Sequence, residues 1–440
     1  MRILINAYAC SPNMGSEPGM AWNWCVHLAK HCELHIITEG EFRDRIEEVL
    51  PTLPQGKNMH FYYNPVSEEV RRMCWNQGDW RFYKYYRDWQ WKTYLMAKEI
   101  CSKEKIDILH QLNMIGFREP GYLWKLSEET GIKFVWGPIG GLKQFPLRYA
   151  AGGGWKMRAF MWLKNRINVW QLKYDKRVDA AMKQASLLIS SIPDSYNAIM
   201  KYKGLESVII PETGCFDVTT KHEAPNRFFG EKLQIIWVGK FDFRKRLDIA
   251  LRAVAQCNNT NIQLVVYGIG ADAQVAAVKR LSVELGIDKQ IVWKGTQPND
   301  VVKKAMAESD VFLFTSVSED TSTVVLEAVS YGLPVVCFDA CGMGYVIDES
   351  VGMKVKLSNP KQSVYDIAET INYLNNNRNR LKEMSENCVE RRKALSWNRK
   401  AVRYVDLISK IIPPPQHHRV SRIIYTARVH RAGNQIRLAA

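Results

Sequence analysis

At 440 residues, 46% hydrophobic and 24% charged, the chain has the profile of a globular protein of two or three domains, not of a disordered or fibrous one. No run approaches the roughly 20 apolar residues that span a bilayer, and residues 1–7, too few for a signal peptide, read as a first buried strand. The ten cysteines include no Cys-x-x-Cys pair, which points to reduced, packed thiols in a cytoplasmic protein and away from a metal site.

In chain order, short β-rich runs alternate with helical runs. Strands are predicted at 2–8, 33–38, 59–64, 106–112, 133–137 and 187–192, then at 233–239, 262–268, 291–295, 311–315, 334–338 and 352–355. Such alternation gives parallel sheets covered on both faces. Two runs of about six strands imply two Rossmann-like, doubly wound domains around a cleft. The break falls between Pro211-Glu212-Thr213-Gly214 and Lys232; with the boundary drawn at 213/214 the domains are 1–213 and 214–396, followed by a helix at 397–412 and a basic tail at 413–440. The tail carries five arginines and no acidic residue; an interfacial helix and a disordered segment are both open readings.

A net charge of +16 admits nucleic acid, an anionic membrane surface or anionic substrates as partners. Basic and aromatic residues interleave at 70–105, with Trp75, Trp80, Arg81, Trp89 and Trp91. They do so again at 155–177, with Lys156, Trp162, Arg166 and Trp170. Three readings stand: a lipid headgroup layer, single-stranded nucleic acid, or core aromatics beside a solvated face.

Candidate ligand-binding residues fall on loops at predicted strand ends, where open α/β sheets bind their ligands. Gly15-Ser16-Glu17-Pro18-Gly19 is a small-residue loop before a helix. His110 ends the fourth strand, either as a contact to the reaction centre or as a histidine satisfied inside the sheet edge. Lys240 and Lys245 follow the strand at 233–239 and suit a diphosphate at a helix N-terminus. Gly268 and Gly270 allow close backbone approach to a ligand. In Ser318-Glu319-Asp320-Thr321-Ser322-Thr323-Val324-Val325-Leu326-Glu327, two glutamates stand eight positions apart across a strand-to-helix junction. Ser322 and Thr323 fall at the helix N-terminus, beside amides suited to phosphate. Apolar neighbours around Glu327 argue for a partner or ligand there, although solvated roles for both glutamates also fit the spacing.

Together these residues resemble the retaining glycosyltransferases of family 4 (glycosyl transferases group 1), which have the GT-B fold. Glu319 and Glu327 match that family's Glu-x7-Glu element, and Gly239-Lys240…Lys245 its Gly-Arg…Lys-Gly element, with Lys240 for the commoner arginine and Arg246 for the commoner glycine. Gly332-Leu333-Pro334-Val335-Val336 is similar to its Gly-x-Pro-Val run. Leu112 stands where the family often has a second histidine. The resemblance implies an acceptor-side first domain and a second domain that binds a nucleotide-sugar donor. Glu319, Lys245, Lys240 and His110 would be catalytic. Glu327, Gly15, Ser16, Gly268, Gly270, Ser322 and Thr323 would bind the donor, with no cofactor and no metal. The expected activity is hexosyl transfer from a nucleotide-diphosphate sugar to a glycan or lipid-linked glycan in cell-surface polysaccharide biosynthesis. It would occur in the cytoplasm, peripheral to the inner face of the membrane and without nucleic acid. A nucleotide-sugar epimerase of GT-B architecture is the alternative, and a nucleic-acid-binding protein a more distant one.

Overall fold

The computed structural model describes residues 1–75, 81–218 and 227–412. Seven strands form the first sheet: β1 (Arg2–Ala7), β2 (Glu33–Thr38), β3 (Met59–Tyr63), β4 (Ile108–Asn113), β5 (Lys133–Ile139), β6 (Leu187–Ser190) and β7 (Val208–Ile209). Six form the second: β8 (Leu233–Val238), β9 (Ile262–Tyr267), β10 (Ile291–Gly295), β11 (Val311–Phe314), β12 (Val335–Phe338) and β13 (Gly352–Val355). The spatial orders are β3-β2-β1-β4-β5-β6-β7 and β10-β9-β8-β11-β12-β13, with every pairing parallel. β4 and β11 are buried along their whole length, as strands covered by helices on both faces must be. The two-residue β7 is too short to carry a periodic signal.

In each sheet the order reverses once, between β1 and β4 and between β8 and β11. Loops leaving adjacent strands there diverge to opposite faces and open a crevice. The loops after β8 and β11 hold Lys245 and Glu319; Met114 follows β4, and Glu17 stands in the first turn of the helix Ser16–Leu28 after β1.

Two segments tie the domains together. Trp397, Ala401, Tyr404 and Ile408 form one face of the helix Trp397–Ile411 and are buried with Trp24 and Leu28 of the first domain. The last described helix thus returns to the first sheet. In the other direction, Phe145, Tyr149 and Ala150, which follow β5, enter the core of the second domain, where the Tyr149 hydroxyl lies 2.6 Å from Ser363 Oγ.

The basic–aromatic stretches divide. The helix Phe82–Lys103 buries Phe82, Tyr86, Trp89 and Tyr94, so half of its aromatic signal is core. The helix Gly154–Tyr174 buries just Met161, Asn168 and Leu172, while Trp155, Trp162 and Trp170 are 77%, 50% and 61% exposed. Trp80 and the tail at 413–440 lie outside the described residues.

Candidate functional site

The Thr323–Ser330 helix begins at extended Ser322 and ends where Gly332, at φ +66°, turns the chain into β12. This sets Glu319 on the loop before it and Glu327 a turn inside it. Lys245 Nζ lies 2.9 Å from Glu319 Oε1 and 4.9 Å from the centre of the Phe314 ring. Ser316 Oγ donates to the same Glu319 oxygen at 3.0 Å. Both charged side chains keep some exposure, 15% and 19%, so the pair is not sealed in the core. Lys240 is exposed just beyond β8.

The first domain answers with its own charges. Lys143 Nζ lies 3.0 Å from Asp320 Oδ1, and the Gly141 N–H donates to the same carboxylate at 3.3 Å. Burial pulls the Lys143 ammonium down, but Asp320, with Cys341 and Glu319, raises it, and the net shift is upward. Glu17 accepts from the Ile115 N–H at 3.3 Å, and burial pushes its carboxyl up to about 7. At the connector, Glu212 accepts from the Thr321 N–H at 2.5 Å, while the Lys400 ammonium donates to the carbonyls of Pro211 and Thr213. Burial first, and then the Asp320 charge, push the Glu212 carboxyl up. Lys400 carried no local sequence signal and Glu212 stood only as part of the interdomain turn, because their significance comes from the docking of the last described helix. Glu17 and Asp320 stood inside quoted motifs, but spacing alone did not single them out.

Gly15, Ser16 and Met20 of the first domain and Thr323, Glu327 and Lys303 of the second line one cavity of about 340 Å³. Burial raises the Glu327 carboxyl, with Lys303 opposing. Ser322 makes no side-chain capping bond to the helix it opens. A partly buried carboxyl beside a helix start can meet hydroxyls and a phosphate together.

One sequence expectation needs correction, and two glycines and an arginine gain a structural reason. His110 is fully buried: its Nε2 lies 2.7 Å from the Gly137 carbonyl, and Tyr404, stacked on the ring, places its hydroxyl 3.0 Å from Nδ1. A carbonyl can only accept, so Nε2 carries the proton and Tyr404 donates to Nδ1. His110 is satisfied inside the protein and is not presented to the cleft. Gly268 and Gly270 are close-packed against their own chain: a Cβ at Gly268 would stand 1.8 Å from the Gly239 carbonyl oxygen, and one at Gly270 2.8 Å from Phe241 Cβ. Arg246, where a glycine is commoner, adopts φ +52° and is held there by Asp248 and the Tyr149 carbonyl.

Burial lowers the His110 pKa to about 4. The folded state therefore binds fewer protons than the unfolded one between pH 4 and roughly 6.5. Stability is expected to fall on acidification through that window, by on the order of 3 kcal/mol in full. His110→Gln cannot titrate, so urea unfolding at pH 7 and pH 4.5 is expected to show a smaller difference than in the parent; equal differences would reject a buried neutral imidazole.

Residues 218–391 match the family Glycosyl transferases group 1. The lipopolysaccharide 1,6-galactosyltransferase of Escherichia coli is 34% identical over 114 residues, 25% of this chain and 31% of that protein. An N-acetylgalactosaminyltransferase of Campylobacter jejuni, named for an N-acetylgalactosamine-N,N'-diacetylbacillosaminyl-diphospho-undecaprenol acceptor, is 30% identical over 129 residues, 28% of this chain and 33% of that protein. The chain spans about a third of the length of the curated relatives it matches. The whole fold is similar to Anabaena HepE in complex with UDP (TM-score 0.63, 15% identity, 93% of this chain and 100% of that one). It is also similar to the apo lipopolysaccharide outer core galactosyltransferase WaaB (TM-score 0.60, 17% identity, 93% and 99%). The two-sheet architecture is the GT-B fold.

Proposed function

From a second domain of the Glycosyl transferases group 1 family we infer that this chain is a glycosyltransferase. We propose that it moves a sugar from a nucleotide diphosphate to a glycan or lipid-linked glycan of the cell-surface polysaccharide type, with the anomeric configuration retained. The observation that carries the reading is the Lys245–Glu319 pair at the β8/β11 switch point, 2.9 Å apart and partly exposed. In this reading Lys245 stabilises the charge that grows on the departing diphosphate while Glu319 holds the donor sugar and fixes the lysine. Glu327, in the cavity shared with Gly15 and Ser16, takes the nucleoside ribose, and the helix start at Ser322 and Thr323 takes phosphate. The galactosyltransferase relatives support transfer over epimerisation.

A thermal-shift screen with nucleoside diphosphates and their sugars tests this, because a ligand specific for the native state raises the melting temperature. One diphosphate is expected to stabilise the chain; no response from any would reject the reading. Glu327→Gln is expected to raise the KM for the donor about tenfold with little change in kcat, since a ribose contact is made in ground and transition states alike. Unchanged nucleotide affinity by calorimetry would refute the assignment.

We also propose an anionic membrane surface as a partner. The helix Gly154–Tyr174 supports it: it has five lysines and arginines, no acidic residue, and exposed tryptophans that suit a headgroup layer. Sedimentation with anionic vesicles at low salt, reversed by high salt, is the expected result.

A further inference from the structure

A second cavity, of about 720 Å³, lies between the helix Gly154–Tyr174 and the loops after β4 and β5, with Glu17 and Asp320 in its wall. Its carboxylates are already matched. Glu119 is held by Arg87 at 2.8 Å and Arg177 at 3.1 Å, and Asp320 by Lys143 at 3.0 Å. Asp175 accepts from the Arg177 and Val178 amides at 2.8 and 3.2 Å, and Glu17 accepts from Ile115.

Arg87 is spent on Glu119, but two other cations in the wall, Arg118 and Lys164, have no carboxylate partner among the described residues. Arg118 spends its hydrogen bonds on neutral amides, Nε on Gln171 Oε1 at 2.7 Å and Nη2 on Asn168 Oδ1. Lys164 lines the same cavity and has no ion pair among the described residues. Burial, and then the charges of Arg118, Arg244 and Lys143, lower its pKa. The cavity thus has positive charge without a carboxylate partner, at half-buried Arg118 and exposed Lys164, where an anion can make charge-assisted contacts. Above it the wall turns apolar: Phe160, Leu163 and Ile167 are 58%, 50% and 43% exposed and continue into the exposed tryptophans of the same helix.

We propose that this cavity is the acceptor pocket and that it takes an amphiphile bearing a phosphate or diphosphate, held by Arg118 and Lys164, with its apolar chain along Phe160, Leu163 and Ile167. As an acceptor site the pocket rests on the glycosyl-transfer reading, but its ligand class rests on the charges and apolar rim alone. A nucleoside diphosphate fits it poorly, because an apolar rim this long has no counterpart on a nucleoside. A carbohydrate without phosphate leaves both cations unanswered.

Farnesyl diphosphate below its micelle concentration is the probe, titrated into the full chain by calorimetry. It is expected to bind whether or not UDP is present, and farnesol and inorganic diphosphate each about tenfold or more weakly. Lys164→Glu, which breaks no contact within the described residues, is expected to lower the affinity by at least about tenfold, and Phe160→Ser to weaken farnesyl diphosphate but not inorganic diphosphate. Displacement by UDP, equal affinity for farnesol, or unchanged affinity in Lys164→Glu would each overturn the proposal. Farnesyl diphosphate binding by a chain that binds no nucleotide would support the pocket and count against the transferase reading alone.

Discussion

Lys245→Ala is expected to lower turnover by on the order of 10²-fold or more while the protein stays folded. The side chain is one end of a half-open ion pair, so its loss costs little stability: a partly exposed pair contributes about 1 kcal/mol at most, and Glu319 keeps the Ser316 hydroxyl as a donor. Its electrostatic effect on a leaving diphosphate is larger, because the charge is fixed in place before the bond breaks. The Phe314 ring beneath and Glu319 beside it hold the ammonium at one position. In water the same stabilisation would require solvent to reorganise. Glu319→Gln separates the two roles. It leaves Lys245 in place but frees its orientation, so a smaller loss is expected than for Lys245→Ala. Donor turnover at saturation and a thermal melt of each variant check the prediction; near-normal turnover in folded Lys245→Ala would remove the lysine from the chemistry.

The strands were legible because parallel strands buried on both faces read as unbroken apolar runs. Val311-Phe312-Leu313-Phe314 is one such run, and β11 covers it, ending one residue short of the predicted 311–315. The switch-point loops were legible for the same reason: once strand ends are known, topology brings Lys245 and Glu319 to one edge. What the sequence hid depends on packing at long range. His110 occupied a strand end like any ligand-facing residue, and only the docking of Tyr404, 294 positions later, commits its Nδ1 inside the protein. The aromatic stretches looked alike in composition. One is half core because its helix lies against the first sheet, and the other is mostly bare because its helix crosses the cleft edge with few buried positions. The unspent charge of Lys164 was equally hidden, since an unpaired cation is defined by neighbours that the local sequence does not name.

Gly268→Ala is expected to destabilise the second domain by about 3 kcal/mol or more, the larger part from steric overlap and the rest from backbone strain. At φ +140° Gly268 sits in a region closed to residues with a Cβ, and the added atom would stand 1.8 Å from the Gly239 carbonyl oxygen. The obstacle is backbone. Gly239 donates its N–H to the Tyr267 carbonyl at 3.0 Å, and Gly268 donates to the Gly295 carbonyl at 2.9 Å, so relief requires the ends of β8, β9 and β10 to part. The loop after β8 carries Lys245, so whatever fold survives is also expected to lose activity. Gly15 is the control. It too lies in a small-residue loop after a strand, but its φ is −91° and a Cβ added there would meet nothing within 4 Å. Gly15→Ala is therefore expected to unfold within about 0.5 kcal/mol of the parent. Urea denaturation of the two variants checks both values; a Gly268→Ala midpoint matching that of Gly15→Ala would mean that the strand ends yield easily and that the glycine is not there for packing.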